Sequence, residues 1–322
     1  MAKAISSIIA TLLMLVITIA LVGFSYTYIS STLTSKVSNT FYVADTFNGN
    51  VIISDDGTSA ITSMTATLDG SPVTIAIIPN VPGLVGYWSM NDGSGIVAKD
   101  SVGNNDGILQ NGPTWIAGNY GNALQFDGIN DYVDIPDSNL WAFGTNDFSI
   151  SMWVFFNAFT ITNSLISQHL NDLSNWKIYS TSSGSTLTFY INSIPQVSAT
   201  ANLATGKWYH IAFVKSGGVG RFYINGVSIG SGAVSSVPNV AKRVTIGAGD
   251  EGGPGYWVNG IIDEVSIYNR ALSQSEINQL YSGLVSPGQT ATIKPLTTLA
   301  SGSHQLRLCT TSMCTTAILI II

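Results

Sequence analysis

The positions of the glutamates and histidines in this sequence indicate which catalytic chemistry it could support. Hydrolysis of a glycosidic bond needs two carboxyl groups at a defined separation. The glutamates of the chain are Glu251, Glu264 and Glu276. Glu276 follows Ser273 by three residues, which is the spacing of a helix capping box, and Glu264 lies among apolar residues. Nothing in the sequence places a histidine beside a nucleophile; the histidines are His169, His210 and His304. We therefore expect no catalytic residues and no enzyme.

Aromatic side chains in loops could instead bind a ligand, because a ring offers a large apolar face with a polar tip. Tyr256 and Trp257 adjoin Asp250, and we take these three residues, together with Trp176, as the candidate ligand contacts. Most other aromatic residues alternate along strand-like runs, which predicts that they are buried.

Calcium prefers oxygen ligands from carboxylates, amides and carbonyls in loops. Asp92, Asp100 and Asn104, near Asp263, could join the first and last strands of the larger unit as a structural calcium site. Asp and Asn also form turns by bonding their own backbone, which is the alternative for these residues.

The composition indicates an uncharged, β-rich protein. Charged residues make up 9% of the 322 residues and the net charge is −6. Because a nucleic-acid surface must neutralise phosphates, the lack of a basic cluster excludes nucleic acid as a partner.

Residues 4–29 carry no charge and are mostly apolar. As a helix they would extend about 39 Å, enough to cross a hydrocarbon core of about 30 Å. A signal anchor fits this length, whereas a cleaved secretory signal has a shorter apolar run. We predict a transmembrane helix with the rest of the chain outside the cell.

The start of this segment resembles another class of leader. Lys3-Ala4-Ile5-Ser6, followed by a long uncharged run, is similar to the processing signal and helix of archaeal type IV pilins. The resemblance implies cleavage between Ala4 and Ile5, and a helix that could also assemble the chain into a homopolymer. A glutamate just after the cut, typical of bacterial-type pilins, is absent here.

The rest of the chain is divided by turn-rich segments into two β units. Short β-branched runs before residue 84 resume after residue 283, which predicts one small β-sandwich interrupted by an insertion. The terminal run AILIII lacks polar alternation and predicts a fully buried strand. The predicted divisions are a leader at 1–4, a helix and neck at 5–36, a split β domain at 37–83 plus 284–322, and an insert at 84–283.

The insert resembles laminin G-like domains of the concanavalin A-like jelly-roll class. The resemblance covers residues 84–283 and rests on spaced blocks: GLVGYWSMNDGSG, GNALQFDGINDYVDIPDS, FSISMWV, KWYHIAFVKSGGVGRFYINGV and GIIDEVSIYNRALSQSEINQLY. It implies two antiparallel sheets that recognise glycan or protein, often with calcium. The fold class we predict is mainly β, with an N-terminal transmembrane or pilin-like helix, a small β-sandwich and an inserted jelly roll.

Pentraxins, relatives of this fold, bind calcium through an acidic loop that follows a strand similar to VTIGAGDEG. The resemblance implies a calcium site formed by Asp250 and Glu251 with Asp172 or Asn175. The loop here has one acid or amide fewer than in pentraxins, which leaves room for one metal ion.

Cys309 and Cys314 are the two cysteines of the chain. Across a short hairpin they could form a disulfide in an oxidising compartment, or they could remain two thiols.

These observations favour a subunit displayed at the cell surface, or anchored in the cell membrane, whose jelly roll binds a glycan or a surface protein in adhesion. The first alternative is a structural filament or surface subunit without a ligand. An anchored glycan-processing enzyme is the third hypothesis, which the missing carboxylate pair disfavours.

Overall fold

The computed structural model describes residues 40–47, 49–171, 174–249, 256–283, 285 and 287–321. The strands before the jelly roll are β1 (Phe41–Phe47), β2 (Asn50–Asp55), β3 (Thr65–Leu68), β4 (Ser71–Val73) and β5 (Ile75–Pro79). Those of the jelly roll are β6 (Leu84–Trp88), β7 (Val97–Ala98), β8 (Gly107–Gln110), β9 (Thr114–Ala117), β10 (Asn122–Asp127), β11 (Tyr132–Ile135), β12 (Phe148–Ala158), β13 (Thr162–Asn171), β14 (Ser174–Thr181), β15 (Thr186–Ile191), β16 (Ile194–Thr200), β17 (Trp208–Ser216), β18 (Val219–Ile224), β19 (Val227–Ala233), β20 (Val244–Ile246) and β21 (Asn259–Tyr268). A 3₁₀ helix, Asn139–Trp141, precedes β12, and the helix α1 (Gln274–Ser282) follows β21. The last strands are β22 (Thr290–Pro295), β23 (Gly302–Cys309) and β24 (Cys314–Ile321).

Strands from both ends of the described chain pair with each other in two four-stranded sheets. Their orders are β1-β2-β22-β5 and β24-β23-β3-β4, so that β22 and β23 each lie beside strands that precede the jelly roll. The apolar residues of these sheets, among them Val51, Ile77 and Ile293, form one buried cluster. We call this part the split β unit.

The jelly roll consists of two eight-stranded sheets. The back sheet has the order β19-β18-β17-β12-β21-β10-β9, with β6 also paired to β21, and the front sheet has the order β16-β15-β14-β13-β20-β11-β8-β7. Alternating residues of both sheets point between them and form a continuous aromatic core that includes Trp88, Trp141, Trp176, Phe148, Phe189 and Phe213. Each buried aromatic side chain removes about 150–250 Å² from water, which makes this core the main source of stability in the unit.

Local sequence signals account for several of these elements. Asn225 and Gly226 both have positive φ, 50° and 79°, as a type I′ turn between β18 and β19 requires. The capping box predicted at Ser273 and Glu276 is present at the start of α1, and the helix ends before Gly283. The capping-box prediction is confirmed.

The split β unit packs against the outer face of the back sheet. Trp153 of β12 and Tyr120 lie in the same apolar cluster as Ile77, while Ile277 of α1 covers the neighbouring part of this face. The Tyr87 hydroxyl donates to the carbonyl oxygen of Ile77 at 3.0 Å. The outer face of the front sheet is therefore on the opposite side of the sandwich.

The predicted fold class is wrong in its helical part. The described residues are mainly β with one α-helix, and no helix among them combines the length and apolar character that a membrane span needs. The segment predicted as a helix and neck at 5–36, and the processing residues Ala4 and Ile5, lie outside the described residues.

The terminal strand also differs from its prediction. β24 lies at an edge of its sheet, and its apolar residues alternate, with Ala317 and Leu319 buried and Ile318 and Ile320 exposed by 51% and 69%. An unbroken apolar run does not reveal which face of a strand is covered, so the expected full burial was wrong.

Candidate functional site

A group of tyrosines lies on the outer face of the front sheet. Along β14, Trp176 and Ile178 point into the core, so Lys177 and Tyr179 point outwards because successive side chains of a strand alternate. Tyr190 of β15 is paired directly with Lys177. We call Lys177, Tyr179, Tyr190 and Tyr256 the tyrosine patch.

The Lys177 ammonium lies at the centre of this patch. Its Nζ is 4.7 Å from the ring centroids of Tyr190 and Tyr256 and 5.6 Å from that of Tyr179. Each such cation–π contact at an exposed site contributes about 0.5–1 kcal/mol. The rings of Tyr179 and Tyr190 meet edge to face, with their centroids 6.0 Å apart. These contacts hold three half-buried rings in fixed orientations at the surface.

An isolated β-bridge between two chain segments places Tyr256 in the patch. Ala248 pairs with Trp257, and the Gly249 amide donates to the Tyr256 carbonyl at 3.1 Å. A Cβ atom on Gly249 would lie 2.6 Å from Ser164 Oγ and 3.0 Å from the Tyr256 Cβ. Glycine at this position therefore lets Tyr256 approach the sheet closely.

Hydroxyl groups fix the sheet beside this bridge. Ser167 Oγ and Thr245 Oγ1 form a hydrogen bond at 2.8 Å, and both lie 2.9 Å from the Ala248 carbonyl oxygen. Because one Ser–Thr pair bonds the backbone that precedes Gly249, the position of the bridge is tied to β13 and β20.

Each phenol hydroxyl of the patch can donate and accept a hydrogen bond. Burial raises the pKa of Tyr179, while a hydrogen bond with Thr188 acts in the opposite direction. On β11 of the same sheet, the carboxylate of Asp134 forms an ion pair with Arg243. The patch thus combines apolar ring faces, neutral hydroxyls and one ammonium group.

The four ligand contacts predicted from the sequence have different outcomes. Tyr256 lies in the tyrosine patch, and Trp257 adjoins it with 8% exposure and a ring 6.1 Å from that of Tyr132. Trp176 is fully buried, and its Nε1 donates to Gln168 Oε1 at 2.8 Å, so the assignment of Trp176 as a surface contact was wrong. Asp250 lies outside the described residues.

Most of the pentraxin-like calcium ligands lie outside the described residues. Asp250, Glu251 and Asp172 lie outside the described residues, whereas Asn175 is buried in β14 beside the core. Calcium binding at this loop stays a prediction.

The alternative calcium ligands serve turns and backbone contacts. Both carboxylate oxygens of Asp100 accept backbone hydrogen bonds, one of them from Tyr87 at 3.1 Å. Asp92 accepts from the Lys99 amide, and Asp263 accepts from Asn119 and Tyr120. Asn104 and Asp100 line the same surface groove. In the described part of the chain, no three His, Cys, Asp or Glu side chains are grouped to hold a metal ion. These residues therefore do not fit a calcium centre built from several carboxylates.

Sequence analysis missed Lys177, Tyr179 and Tyr190. The alternation Trp-Lys-Ile-Tyr in β14 was the available signal, because it separates a core face from a surface face. It also missed a histidine beside a hydroxyl: His210 Nε2 lies 2.8 Å from Ser151 Oγ. Both residues are buried in the back sheet.

Comparison with known proteins supports the jelly-roll interpretation. Residues 126–278 match the family model described as the concanavalin A-like lectin/glucanases superfamily. The comparison with curated proteins found no match.

Solved structures share the fold at low sequence identity. Domain 4 of AbnA, a GH43 extracellular arabinanase from Geobacillus stearothermophilus in complex with arabinotriose, is 22% identical, with 62% of this chain and 98% of that chain covered and a TM-score of 0.50. A Trypanosoma rangeli sialidase is 21% identical over 66% of this chain, with a TM-score of 0.51. The binding domain of Paraclostridial Mosquitocidal Protein 1 is 18% identical over 62% of this chain and 52% of that chain, with a TM-score of 0.50.

These structural similarities concern the expectation that the chain is not an enzyme. The match spans about a third of that sialidase chain, 33%, and identities at this level establish the fold alone. Proteins that contain the fold nevertheless include glycan-processing enzymes. The expectation that the chain is not an enzyme was therefore wrong, because this fold is compatible with glycan processing.

Proposed function

We propose that this chain is a carbohydrate-binding protein and that the tyrosine patch of its jelly roll contacts the glycan. The observation that carries the proposal is the gathering of three tyrosine rings around Lys177 on the front sheet. The match of residues 126–278 to a lectin/glucanase family model supports it.

The chemistry of the patch fits a sugar. The ring faces of Tyr190 and Tyr256 can pack against the C–H face of a pyranose or furanose, while phenol hydroxyls bond the sugar hydroxyls at its rim. Because both rings are oriented before binding, little conformational entropy is lost when the glycan docks.

We further propose that the protein acts at the cell surface, in adhesion to a glycan or a glycan-bearing protein. The Cys309–Cys314 disulfide supports an oxidising compartment, since such bonds rarely persist in the cytosol. The placement of the patch on the side of the sandwich away from the split β unit suits recognition of a partner outside the molecule.

A glycan array probed with the full-length protein tests this function. Arabino-oligosaccharides and sialylated glycans are included as probes, and release of free sugar from bound glycans is measured in parallel. Tyr190→Ala and Tyr256→Ala should each weaken the binding of a retained glycan at least tenfold, about 1.4 kcal/mol, as measured by titration calorimetry.

Tyr42→Ala is the matched control, because Tyr42 is 49% exposed on β1 of the split β unit. It should leave the affinity unchanged. Equal losses in all three variants would contradict the tyrosine patch as the glycan contact. No glycan retained by the unmodified protein would favour the structural subunit without a ligand.

A further inference from the structure

A small, partly enclosed cavity lies where the back sheet, α1 and the split β unit meet. Its volume is about 20 Å³, and its wall includes Tyr87, His210, Glu264 and Tyr268 together with Pro79 of the split β unit. A cavity needs about 10–15 Å³ to admit one water molecule. The space is therefore sufficient for one water molecule.

Three polar atoms of the cavity wall lack a hydrogen-bond partner among the described residues. They are Glu264 Oε1, His210 Nδ1 and Tyr268 OH, each with less than 1 Å² of exposed surface. The Ser266 hydroxyl lies near Tyr268 OH but outside normal hydrogen-bond geometry. Unpaired buried polar atoms are rare in folded proteins because burial removes their water without replacing it. Three of them around one cavity point to a shared missing partner.

The backbone of β21 directs Glu264 to this place. The pairing of β12 with β21 shifts register between Ser151 and Trp153, which leaves Glu264 in a bulge with φ of +55°. A glutamate rarely adopts this left-handed conformation, and such strain persists where the surrounding contacts hold it. Here the Tyr87 hydroxyl contacts the other carboxyl oxygen of Glu264.

We propose that the cavity binds a single water molecule, which bonds to Glu264 Oε1, His210 Nδ1 and Tyr268 OH. A water molecule can both donate and accept, so it satisfies a carboxyl oxygen, a phenol and a ring nitrogen at once. Among the described residues, no three His, Cys, Asp or Glu side chains are grouped to hold a metal ion, which disfavours a metal ion as the occupant.

The bound water completes a chain of hydrogen bonds across the joint between the two units. The chain begins at the Ile77 carbonyl, passes through Tyr87 and Glu264 to the water, and ends at His210 and Ser151. It would tie the split β unit to the centre of the back sheet.

The change in Tm caused by Tyr268→Phe in the full-length protein distinguishes a water-filled cavity from an empty one, because the two cases predict changes of different sign. If water bonds to the Tyr268 hydroxyl, the variant loses that bond and its Tm should fall by about 2 °C or more. If the cavity is empty, the variant removes an unsatisfied hydroxyl, and its Tm should stay unchanged or rise. The second result overturns the proposal.

Tyr223→Phe serves as the matched control, because Tyr223 is buried on β18 of the same sheet and its hydroxyl is not among the unpaired atoms of the described residues. Its Tm should change by less than that of Tyr268→Phe.

A crystal structure at about 1.5 Å resolution gives an independent readout. We expect one density peak 2.6–3.2 Å from at least two of the three atoms, the usual range for hydrogen bonds. An empty cavity contradicts the proposal, as does a peak at about 2.3–2.6 Å from several oxygens, which identifies a cation such as calcium. Neither readout depends on glycan binding, so failure here leaves the proposed function intact.

Discussion

The hydroxyl of Tyr87 contacts the carboxyl of Glu264 inside the molecule. It has one hydrogen but lies beside two oxygens, the Ile77 carbonyl and the Glu264 carboxyl. A protonated carboxyl satisfies both contacts, because it donates to the phenol oxygen while the phenol donates to the peptide carbonyl. Burial, together with the nearby Asp263 carboxyl, raises the pKa of Glu264 well above its ordinary value, which agrees with a neutral acid at this position.

Substitution of Glu264 tests this protonation state. Glu264→Gln keeps the size and a hydrogen-bond donor, so its free energy of unfolding should stay within about 1 kcal/mol of that of the unmodified protein. Glu264→Ala leaves a cavity and breaks the bond to Tyr87, and should cost about 2–4 kcal/mol. Urea unfolding at pH 7 measures both values. A Gln variant as unstable as the Ala variant would show that a charged carboxylate is needed.

Among the secondary-structure elements, those specified by a few neighbouring residues can be predicted from the sequence. The turn at Asn225-Gly226 depends on residues that tolerate positive φ, and the capping box of α1 depends on two residues three positions apart. The tyrosine patch depends instead on which face of β14 is covered, and on a bridge that brings Tyr256 from residues far along the chain. Such placement is set by tertiary packing, which one strand's composition does not encode.

The first turn of α1 provides a pH-dependent contribution to stability. Hydrogen bonds from Arg270, assisted by those from Ser273, lower the pKa of Glu276 to about 2 from 4.5. A carboxyl with a lowered folded-state pKa stabilises the fold above its unfolded pKa, and this contribution is lost as the pH falls. The loss should therefore occur between about pH 4.5 and pH 2.

Glu276→Gln removes this contribution. At pH 6 the variant should be about 1 kcal/mol less stable than the unmodified protein, a modest value because the ion pair is partly exposed. The difference should disappear near pH 2, as followed by urea unfolding across this range. A difference that stays constant with pH would mean that the loss arises from packing rather than from charge.

Across the whole molecule, the split β unit depends on residues separated by the entire jelly roll. β22 lies between β2 and β5, and β23 lies between β24 and β3. The recurrence of similar β-branched runs on both sides of the insert was sufficient to predict a split unit from the sequence. Strand order and the edge position of β24 were not predictable in this way, because every strand of the unit has a similar composition. The domain boundaries themselves stay a prediction.

A pair of matched substitutions tests whether the split β unit unfolds as one body. Ile293 is fully buried at the centre of β22, whereas Ile320 on β24 is 69% exposed. Ile293→Asp places a charge in the apolar cluster and should cost more than about 3 kcal/mol. Ile320→Asp should change the stability by less than about 0.5 kcal/mol.

Hydrogen exchange followed by mass spectrometry locates the damage caused by Ile293→Asp. Protection should be lost together in residues 41–79 and 290–321, since both segments share one core. It should persist in β12 and β17, because their core-facing residues belong to the separate jelly-roll cluster. Loss confined to residues 290–321 would show that the first five strands are stable without their partners. Equal loss in β12 and β17 would instead show that the two units form a single cooperative body, in which case the insertion is not an independent domain.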